Sequence, residues 1–186
     1  MKRIFAVLFA VIILTGCRSK ESPIDQTLKL REALLSSNEI SFHAFINADY
    51  GEVLYTFEMD CKEDTDGDLL FTVTYPETIS GITGVISQSH SALTFDDKVL
   101  AFPPYPDGEI SPVLTPYLFL KSLVGGYISG CGEEKDGYCI YIDDSYMGNQ
   151  IKVQVFTNNQ FLPVRADVIY RDQRIFTLDV TEFSVM

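Results

Sequence analysis

Apolar and polar residues alternate with a period of two along most of this chain, and two stretches break the rule. Ile40, Phe42, Ala44, Ile46 and Ala48 alternate with Ser41, His43, Phe45 and Asn47, the pattern of a strand with one buried face. After Gly51, Val53, Tyr55, Phe57, Met59 and Cys61 repeat it. Beyond the turn-forming Asp64-Thr65-Asp66-Gly67 come Leu69, Phe71, Val73 and Tyr75, stopped by Pro76. Shorter strands are predicted over residues 82–87, 92–95 and 99–102. In the last third, Tyr127–Cys131 and Tyr138–Asp143 flank an acidic turn, and Ile151, Val153 and Val155 alternate with Lys152 and Gln154. Turns at Asn158-Asn159 and Arg171-Asp172-Gln173 divide a closing meander of hairpins.

The exceptions are helical. Ser22-Pro23-Ile24-Asp25 reads as an N-cap, a first-turn proline and an acid three residues after the cap. Ile24, Leu28 and Leu35, with Leu30 and Leu34, follow at helical spacing and predict an apolar face. In the middle of the chain, Ser111-Pro112 and Thr115-Pro116 are successive cap-plus-proline signals. They lead into Tyr117–Val124, apolar nearly all round and closed by Gly125-Gly126. A helix of that kind is buried on both sides. The sum is an α+β fold: a curved antiparallel sheet of about ten to eleven strands, with an N-terminal helix and a short helical insert on the concave side. A sheet that large curls, and its apolar face needs a cover.

The first residues belong to neither pattern. Lys2 and Arg3 precede an unbroken apolar run, Ile4 to Leu14, and then Leu14-Thr15-Gly16-Cys17. The run is shorter than the roughly 20 residues a membrane span needs and fits a secretory h-region. Leu-x-Gly-Cys at that place resembles the lipobox of bacterial lipoproteins. The resemblance implies cleavage before Cys17 and a diacylglycerol on its thiol. The chain then divides into a signal peptide (1–16), a lipidated N-terminus and tether (17–22) and one domain (23–186). Two acyl chains suffice for stable anchoring.

Charge narrows the partners. The chain carries 14 basic and 26 acidic residues, a formal −12. Loss of Lys2 and Arg3 leaves 12 basic against 26 acidic, or −14. No basic patch is available for phosphates, which argues against nucleic acid. Anionic headgroups would not attract this surface either, so the acyl chains must hold the protein at the membrane. The composition, 46% hydrophobic with thirteen Phe and ten Tyr, supports a substantial core.

Candidate chemistry is sparse. Cys131 and Cys139 flank Glu133–Gly137 and are candidates for a disulfide. A five-residue loop centred on Lys135 would set them opposite each other, whereas a two-residue turn would shift the register. Cys61 would remain free. His43 falls on the outward face of the first strand and His90 lies between Ser89 and Ser91; no G-x-S-x-G elbow accompanies them. Asp64–Asp68 in EF-hand register would put Lys62 first and Val73 twelfth, so a hairpin turn explains it better than calcium. No enzymatic activity, metal or cofactor is expected.

The order of elements resembles the LolA/LolB family and its relatives, the LppX-type lipoproteins and RseB-like sensor domains. Tyr75-Pro76-Glu77-Thr78-Ile79-Ser80-Gly81 resembles their bend after the third strand. The insert over Ser111–Val124, the run Phe161-Leu162-Pro163-Val164-Arg165 and the closing Asp179–Phe183 also match. The chain also resembles lipoproteins of this fold from Gram-positive bacteria. The resemblance implies an exported envelope lipoprotein, on the outer face of the cytoplasmic membrane or in an outer membrane if the cell has one. A half-open sheet with an apolar insert over it also makes a half-barrel cavity suited to a lipid or other hydrophobic ligand, with Phe57, Phe71, Tyr117, Phe119, Leu120 and Leu123 as candidate lining; the other outcome is that these side chains fill the hollow as core. The alternative is a non-enzymatic module that binds an envelope protein or senses envelope state.

Overall fold

The structure, a computed structural model, describes residues 21–51, 53–88, 91–95, 98–101 and 110–186. Cys17, the signal segment and His90 lie outside the described residues. A first helix, α1 (Pro23–Ser36), precedes six strands: β1 (Ile40–Asp49), β2 (Leu54–Glu63), β3 (Leu69–Tyr75), β4 (Thr83–Ile86), β5 (Ser91–Phe95) and β6 (Lys98–Ala101). A 3-10 turn (Pro112–Leu114) runs into α2 (Thr115–Gly125). Five strands follow: β7 (Tyr127–Glu134), β8 (Gly137–Tyr146), β9 (Asn149–Asn158), β10 (Pro163–Tyr170) and β11 (Gln173–Val185).

All eleven strands belong to one antiparallel sheet, ordered β6-β5-β4-β3-β2-β1-β11-β10-β9-β8-β7. Two meanders, β1–β6 and β7–β11, are thus joined where the first strand pairs with the last, Ala44 opposite Val180 and Ile46 opposite Leu178. A register shift between Ser41 and His43 interrupts that seam. Glu182 adopts a left-handed φ of 54° there, as an extra residue in one strand of a pair allows. The alternation read from the sequence holds in the strand centres, where Ile40, Phe42, Ala44, Ile46 and Ala48 are buried, as are Phe57, Met59, Cys61, Leu69, Phe71 and Val73; toward the ends Val53, Tyr55 and Tyr75 are exposed. The expected fold class, a curved antiparallel sheet with two helices, is the one observed.

Helix α2 lies on the inner face against β8–β11. Phe119 sits edge-on to Phe42 (5.6 Å) and Phe183 (6.4 Å), bridging the seam between the meanders. Two polar contacts fix the helix. Lys121 Nζ and Ser122 Oγ both donate to Asp144 Oδ2 on β8 at 2.9 Å. At its C-terminus, Arg31 of α1 donates from Nε to the Leu123 carbonyl and from Nη2 to the Gly126 carbonyl, each at 2.9 Å. A guanidinium there satisfies carbonyls that have no intrahelical partner. The two cap-plus-proline signals merge into one continuous start; neither Ser111 nor the N-cap Leu114 caps through its side chain. Thr115 instead donates back to the Pro112 carbonyl at 2.6 Å.

Helix α1 begins as predicted, with a capping box in which Ser22 Oγ accepts from the Asp25 N–H and Asp25 Oδ2 accepts from the Ser22 N–H. Its buried flank is the expected one only in part: Leu34 is buried and Leu30 packs against the core. Thr27 and Leu34 face inward, while Ile24, Leu28 and Leu35 are 39%, 51% and 66% exposed. The helix packs on the edge strand β7 and on α2, and Thr27 Oγ donates to the Pro23 carbonyl and approaches Cys131 Sγ at 3.8 Å. A small polar side chain whose hydroxyl is satisfied locally fits the close approach, leaving the apolar stripe on the outside.

Of the two loop lengths open to the β7–β8 turn, the shorter is adopted. The β7–β8 hairpin pairs Glu134 with Gly137, so the loop is the two residues Lys135-Asp136. That register sets Cys139 opposite Gly132 and Cys131 opposite Ile140. Successive residues of a strand point to opposite faces. Cys131 therefore faces α1 and Cys139 the outer side, and Cys61, Cys131 and Cys139 are free thiols. Burial pushes the Cys139 thiol up to about 11.

Two measurements check this packing. Phe119→Ala should cost about 3–5 kcal/mol in urea unfolding, the range for deleting a buried aromatic; a cost below about 1 kcal/mol would mean that α2 is not part of the core. Alkylation of a form lacking residues 1–17 should label three thiols after denaturation without reductant, and mass spectrometry would count them.

Candidate functional site

The six side chains proposed to line a cavity are brought together only in part. Tyr117, Phe119, Leu120 and Leu123 come from successive turns of α2 and are buried, as are Phe57 on β2 and Phe71 on β3. The α2 side chains fill the hollow of the sheet; Tyr117 packs edge-on to Tyr146 at 6.0 Å. These residues are core. Burial raises the hydroxyl of Tyr117 above the ordinary tyrosine value and that of Tyr146 to about 12, so both stay neutral.

Of the six, Phe71 borders a principal groove, of about 600 Å³. Its walls are two rows of side chains on the sheet face opposite the helices. Asp60, Thr72, Thr83 and Thr94 lie opposite one another across β2–β5, and Lys62, Leu70 and Val85 form the neighbouring row. Phe71 and Gly84 lie between the rows. The Phe71 ring passes over Gly84 on the other face, so close that a β-carbon there would stand 2.3 Å from Phe71 Cζ.

A second surface follows from the register. Phe71, Gly84, Leu93 and Leu100 are successive cross-strand partners from β3 to β6 and share the concave face. Helix α2 packs on the β8–β11 half of that face, and the row emerges from cover toward β6. Phe71 is buried, Leu93 half-buried, and Leu100 is 63% exposed. Phe95, also exposed, lies on the same side of β5 as Leu93. The wing β3–β6 thus extends the core row into an accessible apolar strip. Residues 93, 95 and 100 were not singled out in the sequence, although the alternation through Ala92–Phe95 carried the signal.

Buried polar groups on the inner side are satisfied. Thr115, Ser122 and Thr157 all donate to oxygens of the protein itself, and among the described residues no buried side-chain polar atom lacks a partner. The strip therefore offers surface contact and shape, with no orphaned donor or acceptor to select a polar guest. The Asp64 carboxylate is used by its own turn, accepting from the N–H groups of Asp66 (2.9 Å) and Asp68 (3.1 Å).

On the outer face, His43 Nδ1 lies 2.8 Å from Asp60 Oδ1 and Nε2 lies 3.4 Å from Glu58 Oε2. Both nitrogens face carboxylates rather than a nucleophile. The hydrogen bond to Asp60 raises the imidazole above its ordinary value, with Glu58 adding to the effect and burial opposing it.

No family model matches this sequence, and no curated protein does. Solved structures are similar in fold. One is a DUF1329 family protein from Desulfovibrio piger, with a TM-score of 0.51 and 10% identity over 87% of this chain and 90% of that one. A LolA superfamily protein from Nitrosomonas europaea has a TM-score of 0.46 and 11% identity over 90% and 94% of the two chains. Lipoprotein LppX of Mycobacterium tuberculosis has a TM-score of 0.39 and 11% identity over 87% and 96%. No helix among the described residues is long and apolar enough to cross a membrane.

The His43 pair predicts a pH dependence. A histidine whose folded value is raised contributes stability that is complete below its unfolded value, about 6.5, and is lost as pH rises through the folded value. Unfolding free energy measured upward from pH 6.5 should therefore fall more in the parent protein than in His43→Gln, and parallel curves would show that the pair contributes nothing.

Proposed function

We propose that this protein is a membrane-tethered lipoprotein that binds an apolar ligand, such as an acyl chain, along the uncovered strip of its half-barrel. The observation that carries the reading is the cross-strand row Phe71-Gly84-Leu93-Leu100. It begins in the core and ends exposed on the concave face. Its open end gives an elongated guest a continuous apolar path, and Gly84 leaves room for the Phe71 ring beside it. The reading of Leu14-Thr15-Gly16-Cys17 as a lipobox supplies the tether through Cys17.

Native mass spectrometry of protein purified from its own cells should show a co-purifying lipid. In vitro, cis-parinaric acid should bind with enhanced fluorescence. Leu100→Asp, at an exposed position, should weaken that binding about tenfold, equivalent to about 1.4 kcal/mol, without lowering stability. Equal binding by the variant would move the site elsewhere, and failure of both assays would sink the ligand reading.

A further inference from the structure

The outward flank of α1 is unaccounted for by the fold. Ile24, Leu28 and Leu35 are exposed, and at 100° per residue they fall within about 40° of arc on one side of the helix. They form a stripe roughly 16 Å long, about 80–100° round the helix from Thr27 and Leu34, which hold the helix to β7 and the core. Arg31, the nearest cation on that side, is engaged by the carbonyls of Leu123 and Gly126. Lys29 pairs with Glu21. Of the acids beside it, Asp25 is held in the capping box. Glu32, exposed next to Leu28 and Leu35, borders the stripe opposite Arg31 and offsets it. The flank is thus apolar with little net charge, on a chain that is strongly negative overall.

We infer that this stripe is a membrane-seating surface, and that α1 lies along the neutral lipid–water boundary with Ile24, Leu28 and Leu35 directed into it. The inference rests on the lipid-anchor reading of Cys17. Five residues separate Cys17 from Pro23, so even a fully extended tether keeps the start of α1 within roughly 20 Å of the acylated residue. A helix held at that range with three apolar side chains on its free side meets the bilayer before any other partner. Interfacial helices bury their apolar face about 5–10 Å into the headgroup and acyl boundary. The net charge disfavours a second copy of the chain or an anionic membrane as the occupant. The acyl chains supply the affinity; the stripe sets the orientation, with the β7 side of the half-barrel at the lipid.

The chain contains no tryptophan, so one introduced indole reports its surroundings without background. Lipidated Leu28→Trp protein, reconstituted in phosphatidylcholine vesicles, should emit to the blue of a solvated indole and lose most of its emission to acyl-brominated phosphatidylcholine. Val99→Trp, on the opposite edge strand, should show neither effect. Water-like emission at position 28, or equal quenching at both positions, overturns the seating while leaving the anchor intact, provided the mass of the mature chain shows diacylglycerol on Cys17. Absence of that mass overturns the anchor reading and this inference with it. A blue shift in vesicle-free Cys17→Ala, Leu28→Trp protein that grows with protein concentration would assign the stripe to self-association and overturn it as well.

Discussion

The connection between β6 and β7 is the constraint around which this structure is organised. These strands are the two edges of an eleven-stranded sheet, and the described part of the connection runs through α2 on the inner face, against β8–β11. A backbone crossing an apolar face cannot leave its amide groups unpaired, and a helix satisfies them within itself. The helix observed on this crossing, α2, is apolar on nearly every side and uses Asp144 of β8 and Arg31 of α1 to secure its polar contacts. The two meanders meet beneath it, where Phe119 touches aromatic side chains of both β1 and β11. Removing the helix would expose the seam that joins the halves.

The same crossing divides the concave face. Under α2 the face is filled by side chains and is core. Toward β6 the strands run out beyond the helix, and the row through Leu93 and Leu100 becomes accessible. A helix of eleven residues, about 16 Å long, cannot cover a sheet whose neighbouring strands lie about 4.8 Å apart over eleven strands. The apolar strip is what remains. Helix α1 shows the complementary situation at the other edge: it covers β7 with one flank and leaves a second flank of apolar side chains outside.

Periodicity made the strands legible because each has one buried and one outer face, and no distant contact is needed to impose a period of two. The capping box of α1 was equally plain, since Ser22 and Asp25 satisfy each other within one turn. The sequence left outcomes open where a single local signal had two. The β7–β8 turn admitted two loop lengths differing in register, and the one adopted sends Cys131 and Cys139 to opposite faces. In α1 the apolar positions spread over more of the helix than one contact face can bury: Leu30 and Leu34 pack inward beside Thr27, and Ile24, Leu28 and Leu35 stay outside. The six candidate lining residues were correctly apolar; whether an apolar side chain lines a cavity or fills it depends on neighbours from other strands.

By itself the sequence determined the element types, their order and the inner faces of the central strands, because hydrophobic period, helix caps and turn residues act over a few positions. It also determined the negative charge and the short reach between Cys17 and α1. Tertiary structure alone decided where α2 stops covering the sheet, which flank of α1 is left outward, and that the thiols stay apart. Those outcomes depend on strand register and on contacts between residues tens of positions apart, such as Arg31 with Leu123 and Phe42 with Phe119, which no local pattern encodes.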